Sequence, residues 1–264
     1  MKRELLLSYP LTREDAGRCA QRIMGWIESG ERGRWLACLN PHSVELAEQD
    51  PEFRQALRAA DLLVPDGIGI VLASRLLRGG IRSRVTGSDI FLSMNGRLAE
   101  RGGRVFFLGS TPHVLKRIAE RMAQDYPTIT VAGVYPPSFN TRFSVAESAA
   151  MIAAVNASKS DMLWVGMTAP KQEKWIHQHK KQIDAGFIGA IGAVFDFYAG
   201  TVRRSSPQLQ SLGLEWLPRL LQEPKRLWSR NFISNPRFVA RVVRARWAKQ
   251  FAQDEFARGY TDLK

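Results

Sequence analysis

The feature that most constrains this chain is the regular return of one local pattern: a short apolar run, a stop at Gly, Pro or Asn, and a helix start just beyond. It is plainest in Leu163-Trp164-Val165-Gly166-Met167-Thr168-Ala169-Pro170-Lys171-Gln172-Glu173-Lys174-Trp175. The apolar run reads as a buried strand, Pro170 stands where a first helical residue is favoured, and Trp175 and Ile176 fall at helical spacing. The pattern recurs at 35–39 into Asn40-Pro41-His42-Ser43, at 62–64 into Pro65-Asp66-Gly67, at 104–108 into Gly109-Ser110-Thr111-Pro112, and at 187–191 into Gly192-Ala193-Val194-Phe195-Asp196. Strands alternating with helices at this spacing predict an α/β fold, a mainly parallel sheet flanked by helices.

Further elements complete that reading. Residues 5–7 form a first strand, and Thr12 caps a helix running to about 27. Ser43 caps a short helix, Thr86-Gly87-Ser88-Asp89 opens another, and 129–134 is a strand before an irregular loop, Pro136-Pro137-Ser138-Phe139-Asn140. In open parallel sheets, ligands lie beyond the carboxyl ends of the strands, close to helix N-termini. Lys171 and Gln172 are expected there.

After residue 202 the character changes. Residues 203–249 carry 11 Lys and Arg against Glu215 and Glu223, nine of the chain's net +13 charges. Helices are expected at 207–221, 224–232 and 236–251. In the last, Phe238, Val239, Val242, Val243, Trp247 and Phe251 fall on one side, with Arg237, Arg241, Arg244 and Lys249 over much of the rest. Such a helix either lies on an anionic membrane surface or packs on its own domain. The division is therefore a core, 1–202, and a basic helical C-terminal appendage, 203–264. A charge of +13 in 264 residues favours phosphate-bearing partners: nucleic acid, anionic membrane or a nucleotide-linked substrate. Cys19 and Cys38 form no metal-ligand pattern, and free thiols in a reducing compartment are expected. The N-terminus is too short in apolar length for a signal peptide, and no run reaches transmembrane length. The expected location is the cytoplasm, with the basic helix able to touch a membrane.

Chemistry is sparsely marked. Gly67-Ile68-Gly69-Ile70-Val71-Leu72 has Leu72 where a dinucleotide fingerprint needs its third glycine, so a nicotinamide-dependent oxidoreductase rests on an incomplete motif. There is no phosphate-binding Gly-x-x-x-x-Gly-Lys-Ser/Thr loop, no Asp-x-Asp metal motif, and no Ser-His-Asp pattern. His177 and His179 point to different helix faces and read as surface residues. Asp66 follows a strand and lies beside Asn40 if the two strands are neighbours. It is either an Asx-turn or cap residue, or a carboxylate able to take a proton from an attacking hydroxyl. Asp196 has the same two readings. A nucleic-acid-binding protein using the basic tail is a second class, although the tail lacks a zinc site or an RNA-recognition aromatic pattern.

Four segments in order, Pro65-Asp66-Gly67-Ile68-Gly69-Ile70-Val71, Ala169-Pro170-Lys171-Gln172-Glu173-Lys174-Trp175, Gly192-Ala193-Val194-Phe195-Asp196 and Gly213-Leu214-Glu215-Trp216-Leu217, resemble the signatures of the WecG/TagA/CpsF glycosyltransferases, glycosyltransferase family 26. The likeness covers residues 35–228. It implies a Rossmann-like core and an inverting, metal-independent glycosyltransferase without cofactor. The sugar would pass from a nucleotide-diphosphate donor, such as a UDP-sugar, to a polyprenyl-diphosphate-linked saccharide in cell-envelope or exopolysaccharide synthesis. By resemblance Asp66 is the general base. Asn40, Gly67, Arg84 and Gln172 belong to the substrate pocket, with Arg84 suited to a diphosphate. Arg219, Arg226 and Arg230 resemble arginines of the family's appendage that complete the site and hold it at the membrane. Where the family often has a Thr, this chain has Cys38. The donor sugar, acceptor, linkage and oligomeric state, homo-oligomer included, stay open.

Overall fold

The structure is a computed structural model that describes residues 2–202 and 230–261, with side chains described for 2–202 and 232–248. The expected helices at 207–221 and most of 224–232, with Arg219 and Arg226, lie outside the described residues, and the expected boundary at 202 falls where the description breaks off.

Among the described residues, eight strands form one sheet in the order β1-β2-β4-β3-β8-β7-β5-β6. They are β1 Arg3–Leu6, β2 Tyr9–Thr12, β3 Trp35–Leu39, β4 Leu62–Pro65, β5 Arg104–Gly109, β6 Thr130–Tyr135, β7 Met162–Gly166 and β8 Phe187–Ala190. Every pairing is parallel except β1 with β2 at the edge. The central strands β4, β7 and β8 are buried along their whole length, as expected where helices cover both sheet faces.

The covering helices are α1 Ala16–Glu28, α2 Pro41–Gln49, α3 Pro51–Arg58, α4 Ile68–Leu76, α5 Gly87–Ala99, α6 Pro112–Asp125, α7 Val145–Ser158, α8 Lys171–His179 and α9 Val194–Ala199. After a π-helical turn, Arg230–Ser234, comes α10, Asn235–Thr261. One core layer gathers Val44, Phe53, Ile70, Met151 and Ile176, with Phe238 and Val242. The opposite layer gathers Ile23, Phe91, Ile118, Trp164 and Phe195. The chain therefore leaves β3 and β7 toward the first face but leaves β8, which lies between them, toward the second. Adjacent strands whose helices depart to opposite faces open a crevice at their carboxyl ends.

Several local expectations are corrected. Thr12 does not cap α1. It ends β2, the second strand of a hairpin whose two-residue turn, Leu7 and Ser8, has φ of +47° and +71°. That turn lacks the Asn or Gly that usually marks positive φ, so the strand was hidden. Asp15 caps α1 instead, accepting from the Arg18 N–H. Asn40, not Ser43, caps α2, with Pro41 in its first turn. Pro170, after a cis Ala169–Pro170 bond, takes the cap position of α8 rather than its first turn. His177 and His179 are half-buried rather than on the surface, and desolvation lowers the pKa of each.

The basic, apolar α10 is not uniformly two-faced. Phe238 and Val242 are buried against α2 and α4, while Val239 and Trp247 from the same predicted stripe are exposed. Arg241, expected on the outer face, turns inward and pairs with Glu45 at 2.9 Å and Glu48 at 3.1 Å. Because Glu45 is buried, its charge requires that partner. The first half of α10 is thus docked on the core. Among the described residues no helix is long and apolar enough to cross a membrane.

Candidate active site

The crevice at β8 opens into a cavity of about 690 Å³. Of the residues singled out in the sequence, Asn40, Asp66, Gly67, Arg84 and Gln172 all line it, together with Asp196 and Cys38. Arg219 and Arg226 lie outside the described residues. Arg230 starts the π-helical turn, and its side chain lies outside the description.

The strands bring Asn40 and Asp66 together. β3 and β4 run parallel in register from Leu36–Leu62 to Leu39–Pro65, and the Asp66 N–H donates to the Leu39 carbonyl at 2.8 Å. The residue after each strand therefore emerges at the same sheet edge. Asn40 then serves two groups. Its Oδ1 accepts from the Ser43 N–H at 3.0 Å, closing the first turn of α2, and its Nδ2 donates to Asp66 Oδ2 at 3.3 Å. Directly after Asp66 the chain turns through Gly67 at φ +94°, a conformation that L side chains resist, and enters α4. Gly69 has a packing reason: a Cβ there would lie 2.7 Å from the Pro41 ring, so α4 can cross α2 closely only without a side chain. The incomplete glycine motif thus belongs to a turn and a helix crossing.

Arg84 reaches the cavity because its loop is fastened at both ends. Glu4, on edge strand β1, accepts from Ser74 Oγ at 2.7 Å and the Ile81 N–H at 3.1 Å. At the far end the Val85 N–H donates to the Pro65 carbonyl at 2.9 Å, beside the end of β4. Thr86 and Asp89 then start α5 with a reciprocal capping box.

On the other side of the crevice, β7 leads through residues 167–170 into α8. Gln172 is buried, accepts from the Met167 N–H at 3.2 Å and donates to Glu173 Oε1 at 2.8 Å. Glu173, quoted in the sequence only as part of a motif, is 2% exposed and also lines the cavity. Burial raises its carboxyl to about 7. Lys171 is placed differently from expectation. Its Nζ donates to the Ser138 and Asn140 carbonyls and sits 3.6 Å from the centre of the Phe143 ring. It clamps the loop between β6 and α7 and is not part of the cavity wall.

Cys38 has its Sγ 3.8 Å from the Ala190 carbonyl, and burial pushes its thiol pKa well above the ordinary value. The mouth of the cavity is apolar. Ile68, Leu72 and Leu76, one stripe of α4 at four-residue spacing, face Phe238, Val239 and Val242 of α10. Ile68, Leu72 and Leu76 are each more than 40% exposed, unusual for three large apolar side chains in a row. The α10 contribution was not legible in advance, because helical spacing alone does not say which side meets the core. Among the described residues no group of three or more His, Cys, Asp or Glu is placed to hold a metal ion.

Comparison with known proteins bears on what this site does. A family model described as the glycosyl transferase WecG/TagA/CpsF family matches residues 5–252. The N-acetylglucosaminyldiphosphoundecaprenol N-acetyl-beta-D-mannosaminyltransferase of Bacillus spizizenii (strain W23) is 33% identical over 213 residues, 81% of this chain and 80% of that protein. The enzyme of the same name from Bacillus subtilis (strain 168) is 31% identical over 212 residues, 80% of each. With the match extending from β1 into α10, this chain belongs to the WecG/TagA/CpsF family of glycosyltransferases.

Proposed function

We propose that this enzyme transfers a sugar, an N-acetylhexosamine of the N-acetylmannosamine type, from a UDP donor to a polyprenyl-diphosphate-linked saccharide, with inversion and without a metal, in cell-envelope or exopolysaccharide synthesis. The observation that carries the reading is Asp66, oriented by Asn40 beside an apolar cavity mouth at the crevice of the sheet. In a single displacement Asp66 accepts the proton of the attacking acceptor hydroxyl as that oxygen bonds to the anomeric carbon, while the nucleoside diphosphate departs from the opposite face. Negative charge grows on the departing diphosphate, and arginines are suited to hold it. Arg84 is one; Arg219, Arg226 and Arg230 are assigned to the same task in the appendage, read as residues 203–264.

The acceptor class is supported by the names of the two Bacillus relatives and by the exposed stripe of Ile68, Leu72 and Leu76, which offers an isoprenoid chain an apolar wall in the cavity that Asp66 lines. Peripheral association with an anionic membrane surface is part of the same proposal, and the exposed residues of α10 support it. Trp247 is exposed on α10, with Arg244 exposed three residues before it and Arg237 exposed near the start of the same helix.

The test is a UDP-release assay with UDP-N-acetylmannosamine and a short-chain N-acetylglucosaminyl-diphosphoryl polyprenol, with EDTA present. Acceptor-dependent release is expected, and Asp66→Asn should lower it at least 10²-fold while the protein melts as a folded unit. Release that needs added divalent metal, or turnover surviving in Asp66→Asn, would refute the assigned mechanism.

A further inference from the structure

Among the described residues, Glu173 is the one ionisable residue of the cavity wall with a buried polar atom left over. It occupies the third position of α8, where Gln172, itself buried and fastened to the Met167 N–H, donates to its Oε1. Its Oε2 is buried and has no hydrogen-bond partner among the described residues. A buried carboxyl oxygen without a partner is costly, and such atoms in native proteins usually await a ligand or carry a function. Its position in the wall supplies the first possibility.

We propose that Glu173 is a substrate-binding acid: through Oε2, as the neutral carboxylic acid, it donates a hydrogen bond to an oxygen of the nucleotide-sugar donor. The inference rests on the glycosyl-transfer reading and adds to it a contact on the side of the crevice opposite Asn40 and Asp66. The electrostatics agree. A second carboxylate in the cavity that already holds Asp66 would repel an approaching diphosphate, whereas a neutral acid offers a donor without charge. Burial, holding the carboxyl near 7, keeps that form populated at physiological pH. Other ionisable groups face the cavity: Cys38 from β3, His42 from α2, Asp66 after β4, Arg84 ahead of α5 and Asp196 from α9. Among the described residues, β8 and α10 bring only uncharged side chains to it. On the outer side of α8, Lys174 pairs with Asp50 and Glu52 of the α3 segment.

The experiment isolates Glu173 from those neighbours by substitution in the full chain. Binding of UDP-N-acetylmannosamine is measured calorimetrically at pH 6 and pH 8 for wild type, Glu173→Gln and Glu173→Met, with thermal melts showing that each is folded. Gln keeps a donor on the same atom position and cannot ionise. A group titrating at about 7 that binds only when protonated weakens binding about tenfold between those pH values. The wild-type dissociation constant should therefore rise about tenfold more than that of Glu173→Gln. At pH 6, Glu173→Gln should bind within about threefold of wild type and Glu173→Met about tenfold more weakly. Equal pH responses in wild type and Glu173→Gln, or undiminished binding by Glu173→Met, would overturn the inference and leave the transferase reading intact. Absence of binding to wild type at both pH values would overturn the two together.

Discussion

Asn40 joins the stability of α2 to the orientation of Asp66, and the two roles separate by substitution. Serine at 40 keeps a side-chain oxygen for the Ser43 N–H but is too short to reach Asp66 Oδ2, which the Asn amide contacts at 3.3 Å. Alanine loses both. Loss of an N-cap costs about 1 kcal/mol, which in a chain of this size lowers the melting temperature by about 2–4 °C. Loss of one hydrogen bond to a carboxylate costs about 1.5 kcal/mol, which in the transition state is roughly tenfold in kcat. Asn40→Ala should therefore show both losses. Asn40→Ser should melt like wild type and still turn over about tenfold more slowly. Calorimetric melts and the UDP-release assay read the two quantities on the same samples. Full turnover in Asn40→Ser would show that the amide does not orient Asp66 for reaction. A melting temperature as low as that of Asn40→Ala would refute the capping account.

Three further outcomes follow from the geometry. Arg241→Ala should strand the buried Glu45 carboxylate and loosen α10 from α2, at a cost of about 1–3 kcal/mol. Amide exchange in residues 236–245 should then quicken while β5 stays protected, and unchanged exchange would sink the idea. Glu173 titrates near 4.5 in an unfolded chain and near 7 when folded. The folded state thus holds a proton the unfolded state has shed, so this residue's contribution falls as pH rises from about 4.5 to about 7 and stays lost above, up to about 3 kcal/mol. Denaturant titrations should show Glu173→Gln gaining on wild type between pH 5 and 8, and a constant difference would refute the assignment. Both thiols are pushed up by burial, Cys19 to about 12 and Cys38 well above its ordinary value. Neither should react readily with a thiol reagent at pH 8 until the protein unfolds; prompt labelling of Cys38 in the native protein would count against its thiol state.

The path from residues to fold was short where local chemistry and tertiary context agreed. Apolar runs ending in Gly or Asn, with Pro41, Pro51 and Pro112 opening helices, announced strand–turn–helix units because each signal acts within a few residues. It failed where a long-range contact overrode the local rule. The Leu7–Ser8 turn adopts positive φ without Gly or Asn, because the hairpin's second strand is held by β4. Arg241 looked solvated until α2 presented Glu45 to it. Lys171, expected at the ligand, is drawn away by the carbonyls of residues 138 and 140.

By itself, then, the sequence determined the alternation of strands and helices, the family signatures, and the residues that stand at strand ends. It could do so because periodicity, turn chemistry and motif spacing are local properties of the chain. Strand order lay beyond its reach, and strand order decides which of those ends meet. Only the tertiary structure placed β8 between β3 and β7 with its helix on the opposite face, and so opened one crevice onto Asn40, Asp66, Arg84 and Gln172. It alone left Glu173 buried with an oxygen that has no partner among the described residues, because burial is a property of the whole packing and of no single segment.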